Sequence, residues 1–194
     1  EEPKVTEDLS LVPISVYNKT KMVAERILKS YENEIKIHSI RPATVCGYSP
    51  RMRLDVSVNM LTFQALKFKS MSVLGGEQIR PNIHIQDLIN VYKHFILNPN
   101  LPSGFYNAGF ENLKIIEIEQ MVSKIIHSKI VVTENNSDPR SYRQNSNKLL
   151  SSSLKKKISV SEAINDLKEK YESKQFIDSQ IFSTDKWLKE LHHQ

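Results

Sequence analysis

Cysteine occurs once in the 194 residues, at Cys46. A single thiol excludes an internal disulfide and a multi-cysteine zinc site. It suits a reducing compartment, so a cytoplasmic location is expected. Glycine is scarce as well: the five glycines stand at positions 47, 75, 76, 104 and 109. None of them falls into Gly-x-Gly-x-x-Gly, so no glycine-rich turn that cradles a dinucleotide pyrophosphate is present. Nowhere do about eighteen apolar residues follow one another, which leaves no candidate transmembrane helix and no membrane partner to expect. The opening Glu-Glu-Pro-Lys-Val-Thr-Glu-Asp is acidic and polar, the opposite of a secretory signal.

Arginine is the third shortage. The 27 basic residues divide into 20 lysines and seven arginines, at 26, 41, 51, 53, 80, 140 and 143. A net charge of +5 invites a nucleic-acid reading. The lysines are scattered, however, apart from Lys155-Lys156-Lys157, and no interleaved aromatics or docking motif accompany them, so no nucleic-acid partner is expected. Apart from Arg26, the arginines sit in loops or at strand ends. Arginine is the residue that grips phosphate with two parallel hydrogen bonds. In a lysine-biased chain that placement points to anion binding.

Hydropathy alternates between the two periods of regular structure. The pattern predicts a loop over 1–16, helix 17–33, strand 35–41, a turn-rich stretch 46–55, helix 56–69 and strand 71–74. Beyond the Gly75-Gly76 turn it predicts strand 82–85, helix 86–98, strand 105–108, helix 114–127 and strand 129–133. A polar loop over 134–141, an extended piece near 142–145 and helix 161–172 follow, the last beginning at Ser161 without a full capping box. Apolar residues from Lys174 onward suggest one more packed helix. Strands alternating with helices give an α/β fold, and the length suits one domain or one and a part.

The chemistry concentrates at Tyr17 and Lys21. Residues four apart share a helix face, so phenol and ammonium can converge on one point. A phenol titrates near 10 in isolation, and an adjacent ammonium favours the phenolate, which suits general acid–base work. Ala24, Ile27, Leu28 and Tyr31 give the same helix an apolar stripe to bury.

Four segments, taken in order, resemble the extended short-chain dehydrogenase/reductase family, the NAD-dependent nucleotide-sugar epimerases and dehydratases. They are Tyr17-Asn-Lys-Thr-Lys21 with Glu25, Ile40-Arg-Pro-Ala-Thr-Val-Cys-Gly47-Tyr-Ser-Pro50, Gly75-Gly-Glu-Gln-Ile-Arg80-Pro-Asn-Ile-His84-Ile-Gln-Asp87, and Asp138-Pro-Arg-Ser-Tyr142. The resemblance implies a Rossmann-type doubly wound sheet, its amino-terminal part with the glycine-rich loop missing here, and a smaller carboxy-terminal substrate-binding lobe. Residues 1–50 and part of 82–108 would belong to the NAD-binding domain, and 51–81 with 109–194 mostly to the substrate lobe. It implies NAD, or alternatively NADP, as cofactor, a nucleotide sugar as substrate, and a homodimer.

Residue by residue, the resemblance implies Tyr17 as the acid/base on the sugar 4-hydroxyl, with hydride moving between C4 and the nicotinamide. Lys21 would hold the nicotinamide ribose, and Pro42, Ala43 and Val45 would line the nicotinamide side. Thr44, in place of a frequent asparagine, together with Asn59, Arg80, Arg140 and Tyr142, would bind substrate. His84 and Asp87 read more simply as structural. A non-catalytic dinucleotide-binding scaffold of the same fold is the alternative, and an intact Tyr17–Lys21 pair argues against it.

Overall fold

The structure, a computed structural model, describes residues 4–74, 76–133, 141–176 and 182–183. Six helices and seven strands alternate along these residues in an α/β arrangement. Helix α1 (Val16–Ser30) starts where the Ser15 hydroxyl accepts the Asn18 N–H at 3.1 Å, and it stops at Tyr31, short of the expected 33. Strands β1 (His38–Pro42) and β2 (Thr44–Cys46) follow. Next come α2 (Ser57–Phe68), β3 (Ser70–Leu74), β4 (Ile79–His84) and α3 (Ile85–Leu97). Then β5 (Gly104–Ala108), β6 (Glu111–Lys114), α4 (Ile115–Ile126) and β7 (Lys129–Thr133) lead to α5 (Asn147–Leu150) and α6 (Val160–Glu172).

Three elements escape the hydropathy pattern. Strand β2 hides behind Pro42, which reads as a strand end, and β6 is a polar Glu-Asn-Leu-Lys run. The pairing of β6 draws β4 back to Ile79, with Pro81 opposite Asn112. The third, α5, is a single turn. Helix α6 also departs from expectation, because its N-cap is Ser159, two residues earlier, and there a full capping box closes. The Ser159 hydroxyl accepts the Glu162 N–H at 3.2 Å, and the Glu162 carboxylate accepts the Ser159 N–H at 2.7 Å.

Among the described residues the strands pair as parallel β1–β5, mixed β2–β4–β6 and parallel β3–β7. Both long extended stretches switch sheets, 38–46 at Ala43 and 104–114 at Gly109. The Ala43 N–H reaches Ala108 O at 2.9 Å, and the Phe110 N–H reaches Asn82 O at 2.9 Å. A Cβ on Gly109 would stand 2.8 Å from the Cβ of Ala43 and would overlap Gln144 Oε1, so only glycine allows this crossing.

Two cores flank the crossing. One joins Ala43, Ile83, Val91, Phe95, Tyr106 and Ala108 under α3. The other packs α2, α4 and α6 through Val58, Leu61, Ile118, Val122, Ala163 and Ile164. A smaller aromatic cluster places Phe176 and Phe182 against Met52 and Leu167. The remaining residues of the expected last helix lie outside the described set.

Helix α1 overturns one expectation. It buries no residue, and the stripe of Ala24, Ile27, Leu28 and Tyr31 is exposed. It meets β1 and β5 through its polar side instead: Glu25 grips Arg41, and the Lys29 ammonium lies 5.9 Å from the Phe105 ring centre. Side chains alternate along a strand, so Arg41 and Phe105 share the face turned to α1. Ile40 and Tyr106 take the opposite face, under α3.

Candidate active site

Tyr17 occupies the first turn of α1, with Lys21 one turn on. The Lys21 Nζ lies 5.2 Å from the centre of the Tyr17 ring, so the two share a helix face. Tyr17 is 68% exposed, and neither its hydroxyl nor the Lys21 ammonium is drawn into a hydrogen bond among the described residues. A phenol and an ammonium one turn apart on an exposed helix face make a donor set of the kind that a diol or a sugar hydroxyl accepts.

Pro42, Ala43, Thr44 and Val45 make up the switch point between β1 and β2. Pro42 is exposed, Ala43 is buried, and Thr44 and Val45 are half-buried. Ligands of open α/β sheets bind at the carboxyl ends of strands, where the topology switches, and these four residues stand at such a point.

Asn59 is built in differently from the exposed pair. It is 2% exposed, its Oδ1 accepts the Gly47 N–H at 3.0 Å, and its Nδ2 donates to Arg53 O at 3.0 Å. The amide thus clamps both ends of the 47–53 loop onto α2. Gly47 has φ +94°, and a Cβ there would sit 2.5 Å from His84 Nε2, so the loop needs glycine for conformation and for space.

His84 is the N-cap of α3, its Nδ1 accepting the Gln86 N–H at 3.1 Å. Burial lowers its pKa, opposed by the nearby carboxylates of Asp166, Asp87 and Glu162. Asp87 is buried, and its Oδ2 accepts the N–H groups of Lys157 and Ile158 at 3.1 and 3.0 Å. Both residues are structural parts, as the simpler reading expects. Cys46 is buried as well, which pushes its thiol up to about 12 and leaves it inert.

Arg80 lies half-buried on β4, and Tyr142 is 39% exposed on the segment running beside it, where its N–H reaches Ile79 O at 3.3 Å. The structure therefore brings Arg80 and Tyr142 together on neighbouring backbone. Arg140 lies outside the described residues. Arginine scarcity is a partial guide to anion binding. Arg41 forks onto Glu25, and Arg53 forks onto Asp55 at 2.8 Å through both nitrogens, so at least these two serve carboxylates of the chain. The hydrogen bonds from Arg53 hold the Asp55 carboxyl below its usual range.

A buried polar network missing from the sequence reading ties the entry loop of α1 to the segment after Tyr142. Asn107 Nδ2 donates to Val5 O and Asn145 O at 3.0 and 3.1 Å, and the Asn107 N–H reaches Glu7 Oε1 at 2.8 Å. Gln144 Nε2 donates to Arg41 O at 2.9 Å. These groups satisfy backbone of β5, of β1 and of the two segments that run beside them. Their long sequence separations left no local signal.

A cavity of about 520 Å³ opens between the entry loop, α1 and the β1–β5 pair, walled by Glu7, Glu25, Lys29, Arg41, Phe105 and Lys148 among others. Tyr17, Lys21, Arg80 and Tyr142 do not line it, so the cavity is separate from the residues expected from the sequence to carry the chemistry. Among the described residues no cluster could hold a metal ion, and no helix is long and apolar enough to cross a membrane.

Residues 1–109 match the family model of the NAD dependent epimerase/dehydratase family. The chain belongs to that family. An uncharacterized UDP-glucose epimerase, YtcB, of Bacillus subtilis (strain 168), is 27% identical over 124 residues, 63% of this chain and 39% of that protein. UDP-glucuronic acid 4-epimerase from Bacillus cereus, solved with UDP-glucuronic acid and NAD, is 26% identical with a TM-score of 0.74, covering 87% of this chain and 57% of that one. MoeE5, solved with UDP-glucose and NAD, shares the fold at a TM-score of 0.77 and 20% identity, over 90% of this chain and 61% of that one. The chain thus spans less than two thirds of these relatives' lengths. It shares the Rossmann-type fold of its family over that portion.

Proposed function

We propose that this chain carries the Tyr/Lys helix and the substrate lobe of an NAD-dependent enzyme acting on a nucleotide-activated sugar, as an epimerase, 4,6-dehydratase or 4-ketoreductase. The observation that carries the reading is the exposed Tyr17–Lys21 pair on one face of α1, with the Lys21 Nζ 5.2 Å from the ring centre, inside the segment matched to the family. A scaffold that only bound dinucleotide would have no use for a paired phenol.

In this reading the Tyr17 hydroxyl removes and returns the proton of the sugar 4-hydroxyl, and the Lys21 ammonium holds the ribose hydroxyls at the nicotinamide end. NAD, or NADP in its place, supplies hydride acceptance at sugar C4 when bound. Pro42, Ala43 and Val45 shape the nicotinamide side, and Thr44 presents its hydroxyl to the substrate. Arg80 and Tyr142 grip the nucleotide, with Arg140 as their further partner. Asn59 acts through the 47–53 loop that it clamps. The two cores go with a division into a dinucleotide part, 1–50 with part of 82–108, and 51–81 with 109–194 as mostly the substrate lobe, although Leu149 packs in the first core and Cys46 in the second. A UDP-hexose is the first ligand to try, because the B. cereus relative binds UDP-glucuronic acid and YtcB is named a UDP-glucose epimerase.

Tyr17→Phe in the full-length protein tests the assignment. Turnover should fall by roughly 10²–10⁴-fold, the usual contribution of a positioned proton-transfer group, while calorimetric titrations still show cofactor and sugar nucleotide bound. Unchanged turnover would remove Tyr17 from the mechanism and revive the scaffold reading.

A further inference from the structure

The helix that carries Tyr17 and Lys21 buries none of its residues, and a cavity lies against it. Glu25 ties the helix to the sheet. It stands one turn beyond Lys21 and two turns beyond Tyr17, on the side turned to β1. Its two oxygens accept the Arg41 Nε and Nη2 hydrogens at 2.8 and 2.7 Å, a planar fork whose side chains are only 16–17% exposed. Arg41 is held in its own right. Its Nη1 donates to Glu7 O at 3.1 Å, its guanidinium lies 4.6 Å from the Phe105 ring centre, and its carbonyl takes the Gln144 amide at 2.9 Å. The next residue is Pro42, where the sheet switch begins. One side chain thus links the α1 helix, the loop entering it and the strand end beside the nicotinamide-side residues.

We propose that Arg41 is a positioning residue: its forked grip on Glu25 sets the rotation and height of α1, and with them the place of the Tyr17 hydroxyl and the Lys21 ammonium relative to Pro42–Val45. The proposal rests on the reading of Tyr17 as acid/base. Two parallel hydrogen bonds fix the plane and direction of the Glu25 carboxylate, whereas a lysine in place of Arg41 supplies a point charge that leaves that direction free. A simple stabilising ion pair would care only about charge.

The test uses the full-length protein with Arg41→Lys and Glu25→Gln, each retaining a hydrogen bond without the fork. Each should lower kcat by roughly ten- to a hundredfold, the scale of a misplacement near 1 Å, with KM for the sugar nucleotide changed less than about twofold. The double variant should be no worse than the singles, because both remove one device. Wild-type kcat in Arg41→Lys with turnover lost in Tyr17→Phe would overturn the positioning role alone. Wild-type turnover in Tyr17→Phe would overturn the acid/base reading and this proposal with it. A fall in melting temperature with kcat per folded molecule unchanged, or failure of both variants to fold, would assign the fork to stability and likewise overturn it.

Discussion

Replacing Gly47 with alanine should strain the turn that leaves β2 for α2, and the strain has two separable sources. The first is conformational: φ is +94° at this position, a region that costs a residue with a Cβ roughly 1–3 kcal/mol. The second is steric: the new methyl would sit 2.5 Å from His84 Nε2 and 2.8 Å from Cδ2, too close for any contact. The ring cannot yield freely, since its Nδ1 caps α3 through the Gln86 N–H. Forcing extra volume into such a site costs about 1–3 kcal/mol more. A chain of this size loses about 2–4 °C of Tm per kcal/mol, so Gly47→Ala should lower Tm by roughly 5–20 °C. Repeating the substitution in a His84→Ala background removes the ring and leaves only the backbone cost. The cycle should then show a coupling of about 1–3 kcal/mol. Thermal unfolding of the four proteins reads this directly. A coupling near zero, or a neutral Gly47→Ala, would refute the packing of His84 against this turn.

Glu119 offers a pH test. It has no exposed surface, neither carboxylate oxygen has a partner, and burial raises its pKa from 4.5 to about 7. The folded state then keeps a proton that the unfolded chain gives up, so this contribution is complete below pH 4.5, falls as pH rises, and is lost above about 7. Glu119→Gln should flatten that slope and stabilise the protein above pH 7 by roughly 1–3 kcal/mol, measured by denaturant unfolding across pH. Asp87→Ala strips the acceptor from two backbone N–H groups and should cost about 1–3 kcal/mol in the same assay, with Asp87→Asn milder. Arg80→Lys should raise the Kd for a nucleoside diphosphate by about one to two orders of magnitude and leave NAD affinity unchanged; wild-type affinity would remove Arg80 from the phosphate grip.

Much of this was legible in the chain. The Tyr17–Lys21 spacing put both side chains on one helix face, as the structure has them, and period-3.6 patterns located α2, α3, α4 and α6 to within a few residues. Helix α4 even displays its buried acid, because Glu119 falls in step with Ile115, Ile118, Val122 and Ile126. What stayed hidden depends on partners far along the chain. Strand β6 is polar because, among the described residues, it is an edge strand paired with β4 alone, and β2 continues past a proline that pattern reading treats as a stop. The apolar stripe of α1 promised burial, yet Glu25 made the principal contact, since the strand beside it presents Arg41 rather than a hydrophobic residue. Asn107 and Gln144 read as ordinary residues of extended segments until partners about a hundred positions away, Val5 and Glu7 for one and Arg41 for the other, meet their amides.

In the proposed function Tyr17 moves the proton that accompanies oxidation at sugar C4. A single-turnover experiment tests it most directly, comparing C4-deuterated with unlabelled UDP-hexose on the full-length protein loaded with NAD. Deuterium should slow the reaction, and Tyr17→Phe should react roughly 10²–10⁴-fold more slowly than the wild type under the same conditions. Equal rates for the two sugars, with Tyr17→Phe as fast as the wild type, would contradict it.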